Sequence, residues 1–213
     1  MTPIPILDSA GLAEGIRAIC AVEPRFQAVV DVHGLPSLRH AEGGLEGLLH
    51  IVTEQFLSLA AAYAIWKRLA MRLQPFNALQ VLGCDLDELK ALGLSTAKAR
   101  SFHHIAGLVQ SGNFVPGDLA GHSDKDAHAK LLALPGVGPW TAEIYLLSVL
   151  QRADVWPWGD VALQVAAQDI FRLPTRPGKA EMIALAEPFR PWRAVLARLL
   201  WSHYRDLKGV KQA

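Results

Sequence analysis

Apolar residues recur at three- and four-residue intervals along most of this chain, and no stretch sustains the strict alternation of a half-buried strand. Leu45 to Phe56 (LEGLLHIVTEQF) predicts one strongly apolar helix. Ser58 is placed to cap the next, LAAAYAIWKRLAMRL, which ends near Pro75 because the residue before a proline avoids helical angles. Leu86 to Leu92 predicts a short helix closed by Gly93, and Ser95 or Thr96 caps AKARSFHHIAGLVQ, closed near Gly112. Ser123 caps DKDAHAKLLAL, and Pro139 opens a helix with WTAEIYLLSVLQ, since a first-turn proline loses no hydrogen bond. Ala153 to Gly159 (ADVWPWG) reads as a linker. VALQVAAQDIFRL, KAEMIALAEPF and WRAVLARLLWSHYRDL are three more helices, whereas Phe26 to Val32 reads as a short extended stretch. The sum is an all-α chain of about nine or ten helices without a sheet.

The most informative segment is Leu131-Leu-Ala-Leu-Pro-Gly-Val-Gly-Pro-Trp-Thr-Ala142, where one apolar helix stops and another starts at once. Gly136 and Gly138 tolerate positive φ and leave no Cβ in the way of an approaching group. The amides at the new helix start point outward, and with the helix dipole they form an anion site. A DNA phosphate suits it, giving affinity without reading sequence. Pro135, Gly136, Val137, Gly138 and Thr141 are therefore the candidate backbone-binding residues, with Val137 turned inward to pin the bend.

Composition narrows the class. A 51% hydrophobic and 19% charged chain of 213 residues can bury a core. It has no apolar run of bilayer-spanning length and no N-terminal basic-then-apolar leader pattern, so a cytoplasmic monomer is expected. Cys20 and Cys84 are too few for a metal or iron–sulfur site and read as core residues. His103, His104, His122 and His128 lack ligand spacing. A formal net charge of +1 weighs mildly against a nucleic-acid partner, although Arg190, Arg193, Arg198, Arg205, Lys208 and Lys211 cluster in the last third. That cluster reads equally well as a solvated helix face.

The hairpin resembles that of the helix-hairpin-helix (HhH-GPD) DNA glycosylase superfamily, closest to its AlkA-type 3-methyladenine glycosylase II branch. The superfamily pairs L-P-G-h-G (h, an apolar residue) with an essential Asp about twenty residues on, and here Asp160 stands twenty positions after Trp140. Leu49 to Ala62 resembles the superfamily's apolar helix, glutamine turn and serine-capped helix, Gly93 to Arg100 its G-h-x-x-x-K-A-x run, and Pro191-Trp-Arg-Ala with Leu200-Trp201 the branch's ending. The likeness runs over about residues 35 to 207. Glu54 stands where the family usually has Gln. The short segment before residue 40 has no room for the N-terminal β-domain of larger AlkA-like enzymes, and the cluster-binding cysteines of the endonuclease III branch are missing.

The resemblance implies two helical lobes flanking a cleft. One is a helical barrel over residues 45–150 that contains the hairpin, and the other combines residues 1–44 with 151–213. It implies a damaged base in double-stranded DNA as substrate and no membrane partner. Asp160 is the implied catalyst: cleaving an N-glycosidic bond builds positive charge on the sugar, which a fixed carboxylate stabilises while orienting water. The residue type is equally suited to capping VALQVAAQDIF. Bifunctional relatives carry a lysine where this chain has Trp140, so no Schiff base forms and hydrolysis leaves an abasic site.

Trp140 and Trp192, then Trp156 and Trp158, are candidate walls of a pocket for a cationic alkylated purine, which aromatic faces attract by about 0.5–2 kcal/mol. Trp66 reads as core. Phe56 is the candidate wedge that fills the hole left by an everted base, with Gln55 and Glu54 as helpers at the same turn. No organic cofactor is expected. The resemblance implies a monovalent cation on the carbonyls of Leu132, Leu134 and Val137. The expected activity is alkylpurine-DNA glycosylase. Excision of oxidised or deaminated bases, and non-catalytic DNA binding through the hairpin, are the alternatives.

Overall fold

The computed structural model describes residues 7–38 and 41–209. Met1 to Ile6 of the expected second lobe, and Lys211 of the basic cluster, lie outside the described residues. Twelve α-helices and two short 3₁₀ segments are present among the described residues, with no β-strand. The chain divides into two compact units. One is Ala41–Tyr145, and the other joins the segments before residue 41 and after residue 145. No helix of the described residues is long and apolar enough to cross a membrane.

The first unit holds α3 (Gly44–Glu54), α4 (Leu59–Arg72), α5 (Ala78–Gly83), α6 (Leu86–Ala91), α7 (Thr96–Gln110), α8 (Asp124–Leu132) and most of α9 (Pro139–Ser148). Short polar side chains start these helices. Ser58, Asn77, Asp85, Ser95 and Ser123 each accept the amide three residues on, satisfying one otherwise unpaired donor. Leu48, Leu49, Val52, Leu69, Leu89, Phe102 and Ile105 form the interior. Trp66 is half-buried rather than core, stacked on His50 at 4.4 Å.

The second unit contains α1 (Ser9–Val22), α2 (Arg25–His33), α10 (Val161–Ile170), α11 (Lys179–Ala186) and α12 (Arg193–Leu207). Helix α12 packs against α10, α2 and α1. Residues 26–32, expected to be extended, are helical. Phe26 and Val29 are one turn apart and both buried, and Phe26 meets Phe171 and Phe189 edge-on at 6.0 Å. Packing against distant partners overrides the strand preference of the β-branched residues here. Cys84 is buried and Cys20 half-buried; both thiols are free, and burial pushes both pKa values up.

Candidate functional site

The hairpin between α8 and α9 is built as a rigid bend in the first unit. The Val137 amide donates to the Leu134 carbonyl at 3.1 Å, and the Val137 side chain is buried. Gly136 has φ +80, and any Cβ there would run into the Ser101 hydroxyl of α7. The bend therefore needs glycine twice over, for its conformation and for its approach to α7. The first bond inside α9 runs from the Ala142 amide to the Gly138 carbonyl, so amides ahead of it are those a helix start directs outward. Pro135 and Gly136 are exposed and Gly138 is half-buried. Thr141 is 1% exposed, and its hydroxyl accepts a bond from Gln55.

The turn after α3 abuts this bend. Gln55 leaves the helix with ψ 127, and Phe56 takes φ 57, the left-handed region that costs a non-glycine residue about 1–2 kcal/mol. The Phe56 ring is fully exposed, at 104% of reference. Backbone strain beneath an exposed aromatic ring points to function, since neither serves stability. Gln55 is held from both sides. Its Nε2 donates to the Gly136 carbonyl at 2.9 Å and the Thr141 hydroxyl at 2.8 Å, while its own carbonyl accepts from Lys98 Nζ at 2.7 Å. Glu54 lies 3.8 Å from His50, one turn earlier along α3. Burial lowers the His50 pKa.

In the second unit, Asp160 starts α10. Its Oδ1 accepts the Leu163 amide at 3.0 Å and the Trp201 indole N–H at 3.3 Å, and its own amide donates to the Pro157 carbonyl at 3.0 Å. The carboxylate is half-buried. Capping and a fixed, partly accessible carboxylate are thus compatible at one residue. Trp201 was legible only as part of the branch's ending. Nothing in the local sequence marks its indole as a partner of an acid 41 residues upstream.

Against this geometry the comparisons are specific. The model of the HhH-GPD superfamily of base excision DNA repair proteins matches residues 49–191. This chain belongs to that superfamily. Relatives include the alkylbase DNA glycosidase-like protein mag2 of Schizosaccharomyces pombe, 27% identical over 162 residues that cover 73% of this chain and 76% of the relative. The crystal structure of a DNA-3-methyladenine glycosidase from Bacillus halodurans matches with TM-score 0.76 and 26% identity, covering 92% of this chain and 91% of that one. The Schizosaccharomyces pombe 3-methyladenine DNA glycosylase Mag1, solved with abasic DNA, matches with TM-score 0.80 over 94% of this chain and 100% of that one. At 22% identity it speaks for the fold alone.

The tryptophans of this HhH-GPD chain separate into different surroundings. Trp140 is half-buried at the start of α9. Trp156 is corrected from pocket wall to core: it is 5% exposed, among the second unit's interior residues, and its indole N–H donates to the Met182 carbonyl at 2.9 Å. Trp158 is half-buried with Lys179 Nζ 4.6 Å from its ring centroid, so an internal cation already occupies ring surface offered to a ligand. Trp192 is half-buried ahead of α12, and its ring lies so close to Gly15 of α1 that an added Cβ would sit 3.0 Å away. Contact with α1 accounts for part of that ring.

Much of the basic cluster is also structural. Arg190 and Arg193 both bind the Asp154 carboxylate. Arg198 is 6% exposed and donates to the Leu147 carbonyl and Gln151 Oε1. His103 reaches the Cys84 carbonyl, and no cluster of His, Cys, Asp or Glu among the described residues is arranged to hold a metal ion.

Proposed function

We propose that this HhH-GPD chain is a monofunctional DNA glycosylase that hydrolyses the N-glycosidic bond of alkylated purines such as 3-methyladenine and 7-methylguanine in double-stranded DNA. The observation that carries the reading is the Asp160 carboxylate, fixed by the Leu163 amide and the Trp201 indole twenty positions past the hairpin tryptophan. The names of the relatives, alkylbase glycosidase and 3-methyladenine glycosylase, support the substrate class.

The hairpin amides hold a phosphate, and Phe56 enters the stack where the damaged nucleotide leaves it. Asp160 faces the positive charge that develops on the deoxyribose as the bond to the base breaks, and orients the attacking water. An N-alkylated purine is already cationic and departs without protonation by the enzyme. Trp140 in place of lysine leaves no amine to form a Schiff base at that position, so base release proceeds without strand cleavage. The carbonyls of Leu132, Leu134 and Val137 are neutral oxygens of the type a monovalent cation takes. The Leu134 carbonyl accepts the Val137 amide and keeps a second lone pair for such an ion. The ion would add positive charge beside the bound phosphate.

The test is release of free 3-methyladenine from alkylated duplex DNA by wild type and Asp160→Asn. Asn caps a helix as well as Asp, so folding is retained while the charge is lost. Release should fall by roughly a hundredfold to ten-thousandfold. Equal release by both proteins, or none by wild type, overturns the reading. Borohydride trapping should yield no covalent adduct.

A further inference from the structure

Lys98 is the third residue of α7, in the helix's first turn, where the N-terminal dipole disfavours a cation. Its partners explain the placement. Nζ donates to the Thr53 carbonyl at 2.8 Å and the Gln55 carbonyl at 2.7 Å, oxygens at the C-terminal end of α3 where the helix dipole favours positive charge. The ammonium thus clamps the backbone immediately before Phe56, the residue in the left-handed conformation. The Gln55 side chain in turn holds the Gly136 carbonyl and the Thr141 hydroxyl of the bend. One residue is therefore anchored to Lys98 through its main chain and to the hairpin through its amide.

We propose that Lys98 is a positioning residue that locks the Phe56 turn and the two-glycine bend into one rigid element, so that insertion of the ring and the grip on the phosphate are set together. This rests on Phe56 entering the duplex, as in the function proposed above. A neutral side chain at 98 leaves two helix-end carbonyls without their cation and frees the turn to relax out of its strained conformation. The bend then loosens through Gln55, although no residue of the bend has been altered. An arginine at 98 restores a donor for carbonyls and the charge.

The experiment compares wild type, Lys98→Met, Lys98→Arg and Gln55→Ala. Amide hydrogen exchange is read in residues 53–58 and 135–142, insertion by 2-aminopurine fluorescence in a duplex carrying a tetrahydrofuran abasic analogue, and chemistry by single-turnover base release. Lys98→Met should raise exchange about tenfold in both segments and lower the insertion signal and base release about tenfold, with Lys98→Arg near wild type. Gln55→Ala should speed exchange in residues 135–142 while Lys98 still holds residues 53–58, which keeps the test open if Lys98→Met does not fold. Wild-type exchange in residues 135–142 of Lys98→Met, or of Gln55→Ala, overturns the coupling. If wild type releases no base from any damaged duplex while the exchange changes appear, the glycosylase reading fails and the mechanical link stands.

Discussion

Trp201 donates its indole N–H to Oδ1 of Asp160 at 3.3 Å, the same oxygen that accepts the Leu163 amide. The carboxylate is thereby fixed by one local and one distant donor. Trp201→Phe keeps a six-membered ring and removes the N–H together with the five-membered ring that carries it. A hydrogen bond to a charged group contributes about 1.5–3 kcal/mol, and this one is long and partly solvated, so the low end applies. Single-turnover base release should slow about tenfold with substrate affinity nearly unchanged, since the loss falls on the transition state. A Trp201→Phe enzyme with the wild-type rate would show that Leu163 alone orients the acid.

Gly136→Ala meets two penalties, a positive φ and collision with Ser101, whose Cβ lies 2.8 Å from the added methyl. Together they should cost about 2–3 kcal/mol in urea unfolding. Ser101→Gly removes the collision but not the strain. The double variant should therefore recover about 1 kcal/mol relative to the sum of the single changes. Strict additivity would place the cost in the backbone alone.

His50 sits on α3 beside the Trp66 ring, with Glu54 3.8 Å away, and burial lowers its pKa. With the folded pKa below the unfolded one, the unfolded chain takes the proton first as pH falls. The neutral ring's contribution is then complete above the unfolded pKa, about 6.5, and is lost below it. Urea midpoints should decline from pH 7.5 to 5.0, and His50→Gln should flatten that decline. An identical slope in the variant would assign the effect to other groups.

Helix starts were legible because a cap is a local event: Ser58, Ser95, Ser123 and Asp160 each bond an amide three residues away. The glycine bend was legible for the same reason. Three further things depended on distance in sequence. Residues 26–32 fold as a helix because Phe26 finds Phe171 and Phe189. Trp156 and Trp201 are the same residue type, yet one spends its N–H on the Met182 carbonyl and the other on Asp160. Gln55 reaches Gly136 across 81 residues, and no local pattern announces which helper at the turn makes that contact. The α1 helix, which carries Leu12, Ile16 and Ile19 into the interior, was not among the expected elements.

Asp154 engages two arginines of the C-terminal basic run, and Arg198 is enclosed by main-chain and amide oxygens. A duplex held chiefly by uncharged N–H groups displaces few condensed counterions when it docks. Binding should then weaken gently as potassium chloride is raised. A logarithmic plot of affinity against salt should have a slope well short of that for about six neutralised phosphates. On the function proposed above, such a protein gains little from long-range attraction to undamaged DNA, and its residence on the polymer is governed by the fit at a single nucleotide.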